Sequence, residues 1–132
     1  MNNFFSIVIP TFNQGSLLKK CIKSILAQSY KNYEIIVIDN YSSDNTRKII
    51  KEFKRKIIYK KIRNKGVIAK SRNLGIKLAK GKWIAFLDSD DQWFSTKLEK
   101  VNRLIEEKDF EVFCNAEFFE KNNKVKLNIP GP

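Results

Sequence analysis

The chain has few cysteines and no long hydrophobic run. These two features argue against a protein held together by disulfides or a cysteine-bound metal, and against a membrane-spanning protein. Its two cysteines, Cys21 and Cys114, lie far apart in the sequence and lack metal-ligand spacing. Both lie in apolar stretches, which predicts reduced core residues of a cytosolic protein. No apolar run approaches the length that spans a bilayer. The first residues, MNNFFSIVIPTFN, lack a basic segment and are interrupted by Pro10, so we expect no secretory signal.

Acidic residues are almost absent from residues 47–82. This block carries 15 Lys and Arg residues and one acid, Glu52, so it accounts for the whole net charge of +12. Such a block suits a polyanion: nucleic acid, an anionic membrane leaflet or a phosphorylated ligand. No aromatic-rich RNA-binding strand pair or recognition helix accompanies it, and we expect no nucleic-acid partner. The alternative, solvated surface lysines, suits most of these residues individually.

Continuous apolar strands alternate with helical patterns along the 132 residues, which have the length of one domain, 1–132. Short β-branched runs predict strands at 5–11, 33–39, 57–61, 83–87 and 111–119. Apolar residues at helical spacing predict helices between them: one capped by Ser16 with an apolar stripe that starts at Leu17, one opening at Asp44, one at 67–80 ended by Gly81, and one around 98–105. This alternation predicts an α/β fold, a mostly parallel sheet with helices on both faces.

Three polar clusters follow three of the predicted strands, at residues 11–14, 39–44 and 88–91. Ligands of doubly wound sheets bind beyond the carboxyl ends of the strands. Because these clusters all lie at such ends, the pattern predicts one shared binding site.

The third cluster, Asp88, Ser89, Asp90 and Asp91, crowds like charges at a strand end. Two carboxylates about 4 Å apart repel by roughly 4 kcal/mol at an effective dielectric near 20. A divalent cation would remove this repulsion, and Mg²⁺ typically takes one or two carboxylates together with substrate phosphates. The alternative is an acidic turn that caps the helix beginning near Ser95, and the triplet alone does not decide between the two.

The other two clusters offer groups that could bind a nucleotide. Phe12 provides a flat face for stacking, and Thr11 and Asn13 provide hydrogen bonds. Asp39 and Asn40 could bond the edge of a base. For both clusters the alternative is local structure: an ordinary turn after a proline, or a helix cap formed by residue 43 or 44.

Arg72 stands near a predicted helix start, after the turn at Gly66. An arginine can fork around phosphate oxygens with two hydrogen bonds, and a diphosphate is a reasonable partner at that place.

Taken together, these segments resemble a known family. The stretches SIVIPTFNQ, LLKKCIKSILAQSYKNYEIIVIDNYSSDNT and NKGVIAKSRNLGIKLAKGKWIAFLDSDD are similar, in order and spacing, to the N-terminal half of family 2 glycosyltransferases of the GT-A fold. The likeness extends over about residues 4–104. It implies a nucleotide-diphospho-sugar donor, often UDP-linked, a Mg²⁺ or Mn²⁺ ion, and transfer with inversion at the anomeric carbon.

The resemblance also implies roles for individual residues. Residues 10–13, which are Pro10, Thr11, Phe12 and Asn13, would line the base, with Phe12 stacked on it. Asp39 and Asn40 would bind the base edge, and Arg72 would approach the diphosphate. Asp88 and Ser89 would lie near the ribose, and Asp90 would be the principal metal ligand, helped by Asp88.

Two departures from the family pattern affect these expectations. The family usually has two aspartates where this chain has Asp39 and Asn40, and because an amide both accepts and donates hydrogen bonds, this chain need not share the preference for uracil. Family members also normally continue well past the point where this sequence ends at Pro132. We therefore expect an incomplete domain, with the acceptor site and the general base in the absent part and self-association through the face left open. Glu117 and Glu120 are better explained as solvated acids of a strand.

The function predicted from these residues is a glycosyltransferase of cell-surface polysaccharide or glycoconjugate synthesis, acting on a glycan or lipid-linked acceptor. We expect it in the cytoplasm, with peripheral contact between the basic block and the inner face of an anionic membrane. A nucleotidyltransferase is disfavoured because PTFNQGS, at 10–16, carries no Lys or Arg for a triphosphate. The remaining alternative is a non-catalytic module that binds a nucleotide or polyanion through residues 47–82.

Overall fold

The computed structural model describes residues 3–107 and the backbone of residues 116–120 and 123–127. The chain divides into two compact units, Met1–Glu99 and Lys100–Pro132. Among the described residues, no helix has both the length and the apolar character needed to cross a membrane.

The first unit is a four-stranded parallel sheet with its connecting helices. Its elements are β1 (Phe5–Thr11), α1 (Gly15–Leu26), β2 (Tyr33–Asp39), α2 (Thr46–Glu52), β3 (Ile58–Lys61), α3 (Ile68–Leu78) and β4 (Trp83–Phe86). Helix α4 (Lys97–Glu107) begins in this unit and ends in the second. The strand order is β3-β2-β1-β4, and every neighbouring pair is parallel. The predicted α/β fold is confirmed.

The two central strands are buried on both faces, which explains their continuous apolar sequence. On one face Val8, Ile36 and Ile38 pack against side chains of α3 such as Leu74 and Leu78. On the other, the Tyr33 hydroxyl donates a hydrogen bond to the Ile25 carbonyl of α1. The sheet therefore lies between helices.

The pairing of β1 with β2 places the polar clusters side by side. The pairs run in register from Phe5↔Tyr33 to Thr11↔Asp39, so both strands end at the same level. Strand β4 pairs with β1 only as far as Phe86↔Val8, and the backbone then continues with a hydrogen bond from Leu87 N–H to the Val8 carbonyl. All three predicted clusters therefore emerge at the carboxyl edge of the sheet.

The second unit contains a separate antiparallel pair, β5 (Ala116–Glu120) and β6 (Asn123–Leu127). Strand β5 overlaps the end of the strand predicted at 111–119, and residues 111–115, including Cys114, lie outside the described residues.

Three local predictions were wrong. Ser16 does not cap α1, which begins at Gly15 with Gln14 at its N-cap, because the carboxylate of Asp44 accepts the Gly15 N–H instead. Leu17 does not belong to the buried stripe, since its side chain is 41% exposed. Helix α3 ends at Leu78 and not at Gly81. The glycine is needed for another reason: a Cβ there would lie 2.7 Å from the Phe4 carbonyl oxygen of the neighbouring chain segment.

Candidate active site at the carboxyl edge of the sheet

A cleft of about 320 Å³ opens at the carboxyl edge, within the size range of small-molecule sites. The residues that line it come from the end of β1, from the first and third polar clusters, and from the segment that leads into α3: Pro10, Thr11, Phe12, Gln14, Asn64, Ile68, Asp88, Ser89 and Asp90. Six of these nine are among the nucleotide or metal residues predicted from the sequence. The cleft therefore brings together the first and third clusters, which are more than 70 residues apart in the chain (the Gln14–Ser89 contact spans 75).

The acidic turn, residues 88–91, explains how three carboxylates converge. The Asp91 N–H donates to the Asp88 carbonyl at 3.0 Å, which closes a β-turn. Carboxylate oxygens of Asp88, Asp90 and Asp91 all lie within 4.8 Å of one another, and the three residues are exposed. Burial, together with the charges of Asp90 and Asp88, raises the pKa of the Asp91 carboxyl. The turn is thus a concentrated negative charge that faces solvent.

This donor set fits Mg²⁺ or Mn²⁺. Hard divalent cations prefer oxygen ligands, and all the side-chain donors of the acidic turn are carboxylate oxygens. Exposure leaves room for the water and phosphate ligands that such ions keep. Asp88 and Asp90, the two predicted ligands, both line the cleft, and Asp91 joins their cluster without lining it.

Arg72 lies beside the acidic turn, as a residue of α3. Its Nη2 is 3.0 Å from Asp88 Oδ1, and its guanidinium lies 5.8 Å from the centre of the Phe86 ring. Its Nε is buried and has no hydrogen-bond partner among the described residues. The guanidinium therefore lies next to the proposed metal site, and its remaining N–H groups can donate hydrogen bonds to an anionic ligand.

Two hydrogen bonds connect the acidic turn to α1 and its N-cap residue. The Ser89 hydroxyl, 2% exposed, donates to the carboxamide oxygen of Gln14. The Cys21 thiol donates to the Asp88 carbonyl at 3.6 Å. Burial, followed by the charges of Asp91, Asp90 and Asp88, raises the pKa of Cys21 to about 12, so the thiol stays protonated and acts as a donor.

Asp39 is placed in the interior, not on the cleft wall. It is 1% exposed, and its carboxylate accepts hydrogen bonds from the N–H and hydroxyl of Ser42 and from the Tyr59 hydroxyl. Burial and this bond to Asp39 raise the pKa of Tyr59. These contacts fix the loop that follows β2, and the predicted bond between Asp39 and a base stays a prediction.

Asn40 shapes the cleft through Asn64. The Asn40 carboxamide oxygen accepts the Asn64 N–H, and the Asn64 side chain bonds in turn to Ser71 Oγ and to the Gly66 N–H. Asn64 is 6% exposed and lines the cleft. Sequence reasoning missed Asn64; the one signal in the sequence is the turn at Gly66 that follows it, and in the structure Lys65 and Gly66 both have positive φ.

The loop after β1 is tied to the loop after β2. Asn13, with φ of 50°, donates its N–H to Ser42 Oγ and accepts the Ser43 N–H on its side-chain oxygen. Asn13 does not line the cleft, whereas Phe12 does and is 54% exposed. Thr11 is 5% exposed, and its hydroxyl has no hydrogen-bond partner among the described residues. Because buried polar groups are normally hydrogen-bonded, this hydroxyl is available to a water or a ligand in the cleft.

The basic block 47–82 does not form a single surface. Arg72 joins the acidic turn, whereas nine exposed cations lie on α2, on the turn after it, on the edge strand β3 and just after that strand. We call these nine the basic edge: Arg47, Lys48, Lys51, Lys54, Arg55, Lys56, Lys60, Lys61 and Arg63. Its one acid, Glu52, is paired with Lys19 at 2.8 Å.

The sheet order and the acidic carboxyl edge define the class as a Rossmann-like GT-A domain. The family model described as glycosyl transferase family 2 matches residues 6–129, and the chain belongs to that family. It is 39% identical over 124 residues, 91% of this chain and 48% of the relative, to an Escherichia coli protein named UDP-Glc:alpha-D-GlcNAc-diphosphoundecaprenol beta-1,3-glucosyltransferase WfgD.

Solved structures agree with this assignment. S. aureus TarS 1-349 in complex with UDP-GlcNAc superposes with a TM-score of 0.71 at 28% identity, over 79% of this chain and 31% of that one. A mannosyltransferase from Pyrobaculum calidifontis in complex with GDP-Man and Mn²⁺ shares the fold, with a TM-score of 0.65 at 20% identity over 79% of this chain and 32% of that one. The chain spans 16% to 48% of the length of eight curated relatives.

Proposed function

We propose that this chain supplies the donor and metal site of a glycosyltransferase that takes a UDP-sugar and transfers the sugar with inversion. The observation that carries the proposal is the meeting of three carboxylates and Arg72 at the mouth of a cleft whose wall includes exposed Phe12. A cation and a guanidinium suit a diphosphate, and an aromatic face suits a base. The UDP-sugar in the name of the E. coli relative and the UDP-GlcNAc bound to TarS support the choice of uridine.

In inverting transfer the oxygen of an acceptor hydroxyl forms a bond to the anomeric carbon while the bond to the diphosphate breaks, and the hydroxyl proton passes to a general base. Negative charge then develops on the leaving diphosphate, and Asp88 and Asp90 would hold a Mg²⁺ or Mn²⁺ whose Lewis acidity would stabilise that charge. Arg72 lies where its donors can bond the same oxygens, because its Nη2 is 3.0 Å from Asp88 Oδ1. We propose Phe12 as the stacking partner of the base, with Pro10 and Thr11 beside it.

We propose a glycan or lipid-linked acceptor, in the synthesis of cell-surface polysaccharide or glycoconjugate. Two relatives support a phosphate-bearing acceptor: the E. coli enzyme is named for a diphosphoundecaprenol acceptor, and S. aureus TarP for poly(ribitol-phosphate). The placement of the general base outside residues 1–132 and the cytoplasmic location both stay predictions.

Calorimetric titration of the chain with UDP, with and without Mn²⁺, tests the donor site. We expect binding that strengthens by at least about tenfold when the metal is present, since the ion removes the repulsion among the three carboxylates and bonds the diphosphate. GDP, ADP and CDP serve as comparison ligands and report the base preference. If a chain shown to be folded by its thermal transition binds none of the four, with or without metal, the proposal is wrong.

We further propose that the basic edge contacts an anionic membrane. Clusters of four to eight Lys and Arg residues bind anionic bilayers. Each cationic residue near the surface contributes about 1 kcal/mol to the binding free energy. The basic edge has nine exposed cations, and its one acid is already paired with Lys19. Its exposed aromatic neighbour, Tyr41, is covered by Arg63 at 4.3 Å and Lys61 at 5.4 Å, which argues against stacking with nucleic-acid bases.

Sedimentation with vesicles tests this contact. Replacing Lys54, Arg55 and Lys56 with glutamine is expected to weaken binding to vesicles with anionic lipid by roughly 100-fold, and neutral vesicles should bind neither protein. The matched control removes three exposed charges from α3 and the segment just after it, through Lys70→Gln, Lys77→Gln and Lys80→Gln, and is expected to bind like the parent chain. Equal losses in both triple variants would show a nonspecific charge effect and contradict the assignment to the basic edge.

A further inference from the structure

Gln14 occupies the N-cap of α1 without acting as a cap. Its side chain makes no capping hydrogen bond, and the first N–H of the helix, that of Gly15, is instead bonded at 2.9 Å by the carboxylate of Asp44. An N-cap side chain normally satisfies these helix-end N–H groups itself. Because Asp44 takes over this role from the turn before α2, the Gln14 carboxamide is left to face the cleft, which it lines.

Ser89 fixes the orientation of that carboxamide. Its hydroxyl is buried, at 2% exposure, and donates to the Gln14 carboxamide oxygen. The oxygen is therefore directed toward the acidic turn. The amide nitrogen Nε2, at the other corner of the same planar group, has no hydrogen-bond partner among the described residues. The cleft wall thus carries an oriented N–H donor, while the Ser89 hydroxyl is already used.

We infer that Gln14 is a specificity-determining residue that donates a hydrogen bond from Nε2 to a ribose hydroxyl of the bound nucleotide. This inference rests on the proposed function, because it assumes a nucleoside diphosphate in the cleft. Gln14 follows Phe12 by two residues and contacts the acidic turn through Ser89, so it stands between the groups proposed for the base and for the diphosphate. The ribose is the part of the nucleotide between those two. Ser89 is then a positioning residue, and not the ribose contact that the family resemblance implied.

The test is titration with UDP, 2′-deoxy-UDP and 3′-deoxy-UDP in the presence of Mn²⁺. The parent chain is expected to bind UDP roughly three- to tenfold more tightly than at least one deoxy analogue, which is the range for one hydrogen bond. Gln14→Met keeps the length of the side chain and removes the amide, so it should weaken UDP binding by a similar factor and abolish the preference. Ser16→Ala, an exposed change in the same helical turn, is the control and should alter neither value.

The ratio between UDP and its deoxy analogues is the deciding readout, since a merely structural defect would weaken all three ligands equally. Adding Ser89→Ala to Gln14→Met should leave that ratio at one, whereas Ser89→Ala alone should lower it from the parent value. The inference is overturned if the parent chain shows no preference for UDP over either analogue, or if Gln14→Met retains it. Failure of the parent chain to bind any nucleoside diphosphate would instead overturn the proposed function, and the ribose contact with it.

Discussion

Asp90→Asn is expected to remove the metal-dependent part of UDP binding, which is the gain of at least about tenfold that Mn²⁺ gives the parent chain, and to lower the affinity for Mn²⁺ itself by roughly 100-fold or more. Changes in residues that only orient metal ligands typically cost about 10- to 100-fold in metal affinity, and a direct ligand should cost at least as much. Asp90 is exposed within a cluster whose carboxylate oxygens lie within 4.8 Å of one another, so the amide removes charge where the cation would bind. The measurement is calorimetric titration of UDP with and without Mn²⁺, together with titration of Mn²⁺ alone.

Asp44→Asn is a control for the change in net charge. Asp44 is exposed and lies outside the cleft, and its carboxylate bonds the Gly15 and Thr46 N–H groups. Burial raises its pKa, but these hydrogen bonds outweigh that effect and lower it. If the effect of Asp90→Asn is local, Asp44→Asn should leave the ratio of UDP affinities with and without Mn²⁺ unchanged. An Asp90→Asn chain that still binds UDP more tightly with Mn²⁺ than without would show that the carboxylate of Asp90 is not a necessary ligand.

The fold was predictable because it follows from patterns that lie within single segments. The apolar runs of β1 and β2 cannot be exposed on either face, which requires a parallel sheet covered by helices. The same rule places whatever follows each strand at one edge. This rule alone places the acidic turn at the carboxyl edge of the sheet, and in the structure its three carboxylates converge.

The details of the site were less predictable because they depend on hydrogen bonds between distant segments. Gln14 meets Ser89 across 75 residues, and Asn40 meets Asn64 across 24. Nothing in the local sequence of Asn64 indicates that its N–H bonds Asn40. Asp39 also stood in a polar cluster, yet Ser42 and Tyr59 occupy its carboxylate and bury it. Polar residues at a strand end can thus form hydrogen bonds that stabilise the loops around the cleft, and need not contact a ligand.

The wrong cap at α1 has the same origin. Sequence alone favours Ser16, because serine is a preferred N-cap residue. The Asp44 carboxylate, supplied from the turn before α2, bonds the Gly15 N–H, and the helix begins two residues earlier than a cap at Ser16 would allow. A capping group from another segment cannot be recognised by spacing along the chain.

Gly75→Ala is expected to lower the free energy of unfolding by about 1–3 kcal/mol, the usual range for overpacking a core. Helix propensity alone predicts the opposite, since alanine is favoured over glycine in a helix interior by about 1 kcal/mol. The reason is the close approach of α3 to the sheet. A Cβ on Gly75 would lie 2.2 Å from Val8 Cγ1 and 3.0 Å from Val8 Cγ2. Val8 is completely buried between β2 and β4, so its side chain has little room to move.

A double-mutant cycle with Val8→Ala separates this contact from a general effect on α3. Val8→Ala alone removes both clashing methyl groups and should cost about 2 kcal/mol through lost burial and the cavity it leaves. In that background the new Cβ of Gly75→Ala would be 3.2 Å from the Val8 Cβ, its nearest remaining contact in that side chain. The second change should then cost much less than it does in the parent chain, or even stabilise it by filling the cavity. Denaturant unfolding of the four proteins measures the coupling, and additive costs would mean that the approach of α3 to Val8 does not limit residue 75.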